Sequence, residues 1–452
     1  MTVDSDSRVE AVGGGRFVPS PDEVAREYIL LALRLDQHIA GLVDAYHGPA
    51  SLKAQVDMEQ LRAPARLMED AARLREAIEG KVDEGGAGEA DAGGDGKSGG
   101  GGPGEADRRS WLLAQVAALT THAAALAGTE LPYEEHVERC FAWRPRRRDE
   151  APFATAVAGL GALLPGDAPL ADRLAAWDEQ TIVPLERLPA VVEWLVAGFR
   201  GVAARLFGLP DGEDVRVSLV RSQPWSGYNW YDGGLRSRVD INTDLPVTAA
   251  NLVHTLAHET YPGHHLEHAW KEAELVGRRR RAEASIQLIN TPECLVSEGL
   301  ADLGVEFAAP PDERVDLLVE LFERAGLSIA TDRAAARDRA ERQVEISRAR
   351  RALEAAGVNA ILMRHVDGAS AEATTAYLRD VGGLSPERAA KRLEFIDHPL
   401  WRTYGFVYSE GEALLRRWLD AGPANQRAAR FGRLLREQLD PASIAAEIGA
   451  GA

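Results

Sequence analysis

Cysteine is nearly absent. Cys140 and Cys294 are the only two in 452 residues, too few for a disulfide framework. No stretch approaches the roughly 20 apolar residues that cross a bilayer, so no membrane partner is expected. The polar opening MTVDSDSRVE also lacks the charged-then-apolar pattern of a secretory signal. A cytoplasmic protein is the expectation. Positive charge is in deficit too: 52 Lys and Arg face 70 Asp and Glu, a formal net charge of -18. Affinity for a phosphate backbone comes mainly from basic side chains, so no nucleic-acid partner is expected. The run Arg278 to Arg281 reads as a solvated helix end.

What is present suffices for a sizeable core, at 45% hydrophobic residues. Residues 1–20 are polar and glycine-rich and are expected to be disordered. Residues 21–82 read as N-terminal helices, with EYILLALRLDQHIAGLVDAY in the three-to-four spacing of an amphipathic helix and a second helical pattern breaking at Pro64. Residues 83–106 collapse to Gly, Ala, Asp, Glu and Ser and read as a flexible loop. Residues 107–452 read as a helical catalytic region forming one domain with 21–82. Within it, VRVSLVRS, SGYNWYDGG and LRSRVDIN are rich in β-branched and aromatic residues, which places two or three strands at about 213–243 as the only sheet. The fold class expected is mainly α: many helices in a zincin-like architecture, with a small β-sheet next to a metal-binding helix.

That helix is the richest stretch. Asn251 to Trp270, NLVHTLAHETYPGHHLEHAW, holds five of the 11 histidines and two glutamates. His258-Glu259 opens the H-E-x-x-H zinc-hydrolase pattern, in which imidazoles bind metal and the glutamate acts on water. Four residues on, however, stands Pro262, and histidines return at His264 and His265. A proline there clashes with the carbonyl of His258, so the helix must bend at Pro262-Gly263. On a straight helix His265 would share the His258 face; a kink can bring either one round. The pairs His254/His258 and His264/His268 are further combinations.

A catalytic zinc takes three protein ligands and keeps one position for water. Glu298 is the best third candidate, ahead of Glu293. Asp302 lies one helical turn beyond it and can fix the tautomer of a ligand imidazole. Glu259 is the expected general base, taking a proton from the attacking water and passing it to the leaving amine. The segment from Phe395 to Tyr408 is dense in polar-tipped aromatics. Tyr408 is the first candidate for the oxyanion donor, with His398 and Arg402 behind it, Arg402 for a substrate carboxylate.

His258-Glu259-Thr-Tyr-Pro262-Gly263-His264-His265-Leu-Glu267 closely resembles the H-E-x-x-P-G-H-x-x-Q hallmark of the bacterial domain of unknown function 885, a mainly helical family likened to gluzincin zinc metallopeptidases. Ser297-Glu298-Gly299-Leu300-Ala301 is similar to its E-G-W-A segment, and Val407-Tyr408-Ser409-Glu410-Gly411 to its Y-x-x-G segment. Glu267 and Leu300 stand where the family has glutamine and tryptophan. The resemblance spans roughly residues 215 to 420 and implies His258, His264 and Glu298 as metal ligands, with Glu259 as base. Its implied activity is zinc-dependent hydrolysis of a peptide or related amide bond, by one ion, Mn2+ and Co2+ suiting the same donors. The partner expected is a small peptide or amide substrate. Rival expectations are a metal-dependent enzyme of a non-peptide metabolite and a binding protein with a degenerate site.

Overall fold

The computed structural model describes residues 21–80, 103–223 and 225–451. The segment 1–20 and most of the glycine-rich stretch lie outside these. The fold is mainly helical with small sheets. The first helix, Pro21–Asp36, has proline at its first position, where no intrahelical partner for the missing N–H is needed. From Tyr28 to Leu35 it is buried on nearly every side, as its run of apolar residues demands. Its one buried cation, Arg34, is held by both carboxylate oxygens of Glu59 at 2.7 and 2.8 Å.

The helix ends six residues before VDAY, which the helical pattern had absorbed. Those residues form strand β1, Val43–Tyr46, antiparallel to β5, Ile286–Leu288, so a second sheet exists where one was expected. The cause is local: Gly41 takes a left-handed φ of 86° and Asp36 accepts the Val43 N–H at 3.0 Å, turning the chain out of the helix. At the other loop edge a helix runs from Pro103 to Leu126, so residues 103–106 are helical rather than part of the loop. The break foreseen at Pro64 is present, between helices Ala50–Met58 and Pro64–Gly80.

The expected sheet comprises β2 (Asp214–Val220), β3 (Gly227–Gly233) and β4 (Arg236–Asn242), ordered β2-β4-β3. The central β4 is parallel to β2 and antiparallel to β3. The tight β3–β4 turn uses left-handed backbone at Gly233, Gly234 and Leu235. Glu272 accepts the Gly234 and Leu235 N–H groups at 3.1 and 3.2 Å and fixes that turn. Edge strand β3 lies along the helix Ala249–Glu259, where Asn229 Nδ2 donates to the Glu259 carbonyl at 2.8 Å.

At the centre runs the helix Pro292–Ala308, of which only Glu293, Ser297 and Glu306 escape full burial. Glu298 and Asp302 are thereby carried inside, a position carboxylates hold only when paired. The helix Val407–Asp420 crosses it at glycines, since a Cβ on Gly299 would lie 2.4 Å from the Gly411 carbonyl carbon. No helix among the described residues is long and apolar enough to cross a membrane.

Candidate metal centre

Thr248 caps the helix Ala249–Glu259, its hydroxyl accepting the Asn251 N–H at 3.3 Å. Leu252, Val253 and Leu256 are buried in the core. The helix stops at Glu259 and a new one, His264–Lys271, begins after Pro262-Gly263. The turn folds back on the helix it leaves: a Cβ on Gly263 would lie 1.8 Å from the His258 carbonyl oxygen. Only glycine fits there.

This turn brings His264, not His265, to His258. The two rings stand edge to face with centroids 4.7 Å apart. His258 Nε2 is 3.3 Å and His264 Nε2 3.7 Å from the same oxygen, Oε2 of Glu298. Donor atoms of all three side chains lie within 4.8 Å of one another. The far nitrogens are engaged elsewhere. His258 Nδ1 meets Asp302 Oδ1 at 3.0 Å, and His264 Nδ1 meets Ser297 Oγ at 3.3 Å. Because Ser297 gives its own proton to Glu267 at 2.5 Å, it accepts from His264 Nδ1–H, so that in the neutral imidazole Nε2 carries the lone pair. Lys271 in turn bridges Glu267 and Glu293 at 2.7 and 2.8 Å. Glu298 Oε1 accepts the Tyr404 hydroxyl at 2.6 Å, while Oε2 is buried with no hydrogen-bond partner.

The electrostatics follow. Burial disfavours charge on His258, but the hydrogen bond to Asp302 and the nearby Glu298 carboxylate outweigh it and lift the imidazole to about 10. Glu298 is held well below the usual carboxylate range, its burial cost outweighed by His264 and His258. The cluster therefore favours a positive charge at its centre. Glu259 behaves oppositely, raised chiefly by burial. Its carboxylate makes no hydrogen bond to a described residue, and β3 approaches it so closely that a Cβ on Gly227 would stand 3.3 Å from Oε1.

Tyr408 lies beside this group, its ring 6.4 Å from that of His258 and 5.7 Å from that of Tyr404. Burial keeps its hydroxyl protonated. Three expected residues are elsewhere. His265 is wholly buried between Glu213, at 2.8 Å, and Ser237, at 2.9 Å, tying its helix to the sheet. His398 is exposed beyond the end of the helix Pro386–Asp397 and accepts the Leu400 N–H. Arg402 lies over the Tyr133 ring at 5.6 Å. His254 stays at the edge, 39% exposed, 3.5 Å from Asp302. Tyr404 is the partner that sequence reasoning missed; among the polar aromatics of 395–408, spacing alone could not choose it.

Two surface cavities of about 300 and 290 Å³, lined by Trp177 with Arg339 and by Phe207 with Arg436, contain no residue of this cluster. No family model and no curated protein matches the chain. Among solved structures it is similar to one described as the "putative lipoprotein from Colwellia psychrerythraea", at 12% identity, covering 86% of this chain and 69% of that one, with a TM-score of 0.44. A likeness this slight has no bearing on function.

Proposed function

We propose that the chain is a metal-dependent hydrolase of peptide or related amide bonds, with one zinc-class ion held by His258, His264 and Glu298. The observation that carries this reading is the orphaned Glu298 Oε2, buried and facing two imidazole nitrogens whose opposite sides are already occupied. A buried carboxylate oxygen without a hydrogen bond is costly, and a cation shared with the two imidazoles satisfies it. Two imidazoles and a carboxylate are a donor set of hydrolytic zinc sites. The H-E-x-x-P-G-H resemblance to the domain of unknown function 885 family supports the same assignment.

A bound ion supplies Lewis acidity, acidifying water and polarising a carbonyl. The chain's own residues do the rest. Asp302 and the Ser297–Glu267–Lys271 relay hold the two imidazoles in one tautomer, and Tyr404 holds Glu298. Glu259, raised by burial, takes the proton of the attacking water and returns it to the leaving amine. Tyr408, a neutral donor, hydrogen-bonds the developing oxyanion. The β3 edge offers main-chain groups to an extended peptide.

The test is Glu259→Gln in protein purified without a histidine tag, analysed for metal and for turnover of short peptides. Metal retained with hydrolysis reduced by about 10²-fold or more is expected. Wild-type protein without stoichiometric divalent metal would sink the proposal.

A further inference from the structure

The helix Pro386–Asp397 buries Ala389 and Ile396. Arg392 lies between them at three- and four-residue spacing, hence on the same inward face. A guanidinium in such a stripe is expected to have a carboxylate partner, yet no carboxylate of the described residues lies in ion-pairing range of Arg392. The contrast with its neighbours is direct. Arg351 pairs with Glu412 at 3.2 Å, Arg416 with Glu306 at 2.6 Å and Arg364 with Asp397 at 2.8 Å. Arg392 makes one bond, Nη2 to the Gly405 carbonyl at 2.7 Å, and sits 5.6 Å from the centre of the Phe395 ring. Four of its five N–H donors remain.

Its position links it to the metal centre. Gly405 adjoins Tyr404, whose hydroxyl holds Glu298, and lies three residues before Tyr408. Gly357 leaves room at the guanidinium, where a Cβ would stand 3.2 Å from Nη2. The carboxylate whose field reaches Arg392 is Glu354, and the neutral Tyr408 stands within the field of Arg392 and of Glu298, Asp302 and Glu259. Tyr408 thus stands between the metal cluster and a cation without a direct ion pair. The other cations near that cluster have partners of their own: Arg351 pairs with Glu412 and Lys271 with Glu267 and Glu293.

We propose that Arg392 binds the free terminal carboxylate of a short peptide or N-acyl amino acid, so that the bond cleaved is one close to the C-terminal end. A planar guanidinium with parallel donors suits a carboxylate. The terminal carboxylate of a peptide always lies on the side of the leaving amine, and its anchor next to the oxyanion donor leaves space for only a short leaving segment. The inference rests on the hydrolase reading for its meaning, but its test reads binding.

Zinc-loaded Glu259→Gln protein is titrated calorimetrically with N-acetyl-Ala-Ala-Ala and with its C-terminal amide. The acid is expected to bind roughly 10- to 100-fold more tightly, the usual worth of a charge-assisted hydrogen bond. Arg392→Gln, which keeps a donor for the Gly405 carbonyl but no charge, is expected to abolish that preference. Equal binding of acid and amide, no binding of either, or a preference that survives in Arg392→Gln overturns the proposal. Wild-type turnover separates the two readings. Equal cleavage of both peptides leaves the hydrolase standing and removes the carboxylate site. A carboxylate preference in binding with no cleavage does the reverse.

Discussion

Gly299 and Gly411 touch backbone to backbone: a Cβ on Gly299 would lie 2.4 Å from the Gly411 carbonyl carbon, and one on Gly411 would lie 2.2 Å from the Leu295 carbonyl oxygen. Each glycine directly follows a glutamate, Glu298 and Glu410, in the two short segments Ser297–Ala301 and Val407–Gly411. Their contact lets the Tyr408 helix come close enough to stand beside His258. Gly411→Ala is therefore expected to push the two helices apart. We expect a loss of about 1–3 kcal/mol in stability together with weaker metal binding. Urea unfolding and a competitive chelator titration measure the two, and unchanged values of both would contradict the close-contact argument.

His264 and His265 are adjacent but do different work. His264→Ala is expected to abolish stoichiometric metal. His265→Ala is expected to keep the metal and instead lower stability by about 3 kcal/mol, because it removes a buried partner of Glu213. Elemental analysis beside thermal unfolding distinguishes them, and metal loss from the His265 variant alone would reverse the assignment.

Tyr408 and Tyr404 separate in kinetics. Tyr408→Phe removes a donor to the oxyanion and is expected to lower kcat by about 10²- to 10³-fold with KM little changed. Tyr404→Phe frees Glu298 Oε1 and is expected to weaken metal affinity. A Tyr408→Phe enzyme with full kcat would remove that residue from the chemistry.

His122 governs a pH effect away from the metal centre. Buried, with Nε2 bonded to the Asn290 carbonyl at 3.0 Å, it is lowered by desolvation to about 4. In the unfolded chain the ring takes its proton near pH 6.5, so between about 6.5 and 4 the unfolded state binds more protons. Its contribution is complete above pH 6.5 and declines as pH falls toward 4. Between pH 7 and 5 this amounts to about 2 kcal/mol. His122→Gln should flatten the difference between urea midpoints at the two pH values by that amount; an identical pH slope would refute it.

Much of the helical plan was legible, because apolar spacing and prolines reflect forces that act within one turn of chain. Pro64 as a break is a local fact. β1 was hidden because VDAY continues the spacing of the helix before it, and its partner β5 is three residues, too short to show alternation. His264 against His265 depended on the backbone path through Gly263, which no periodicity records. Arg392 looked like an ordinary charged position in a helix. Its distinction is a missing partner, and partners are set by distant chain.

The bond between Tyr404 and Glu298 joins positions 106 residues apart, and this orders events during synthesis. His258, His264 and Glu298 leave the ribosome together, long before the tyrosine that shields Glu298 exists. Glu298 therefore has no Tyr404 to bond until the last tenth of the chain is made. The helix Val407–Asp420 likewise reaches its place only when Gly411 docks on Gly299. Domains generally fold as units, so the C-terminal fifty residues, though they supply none of the three clustered donors, are needed before the site takes its shape.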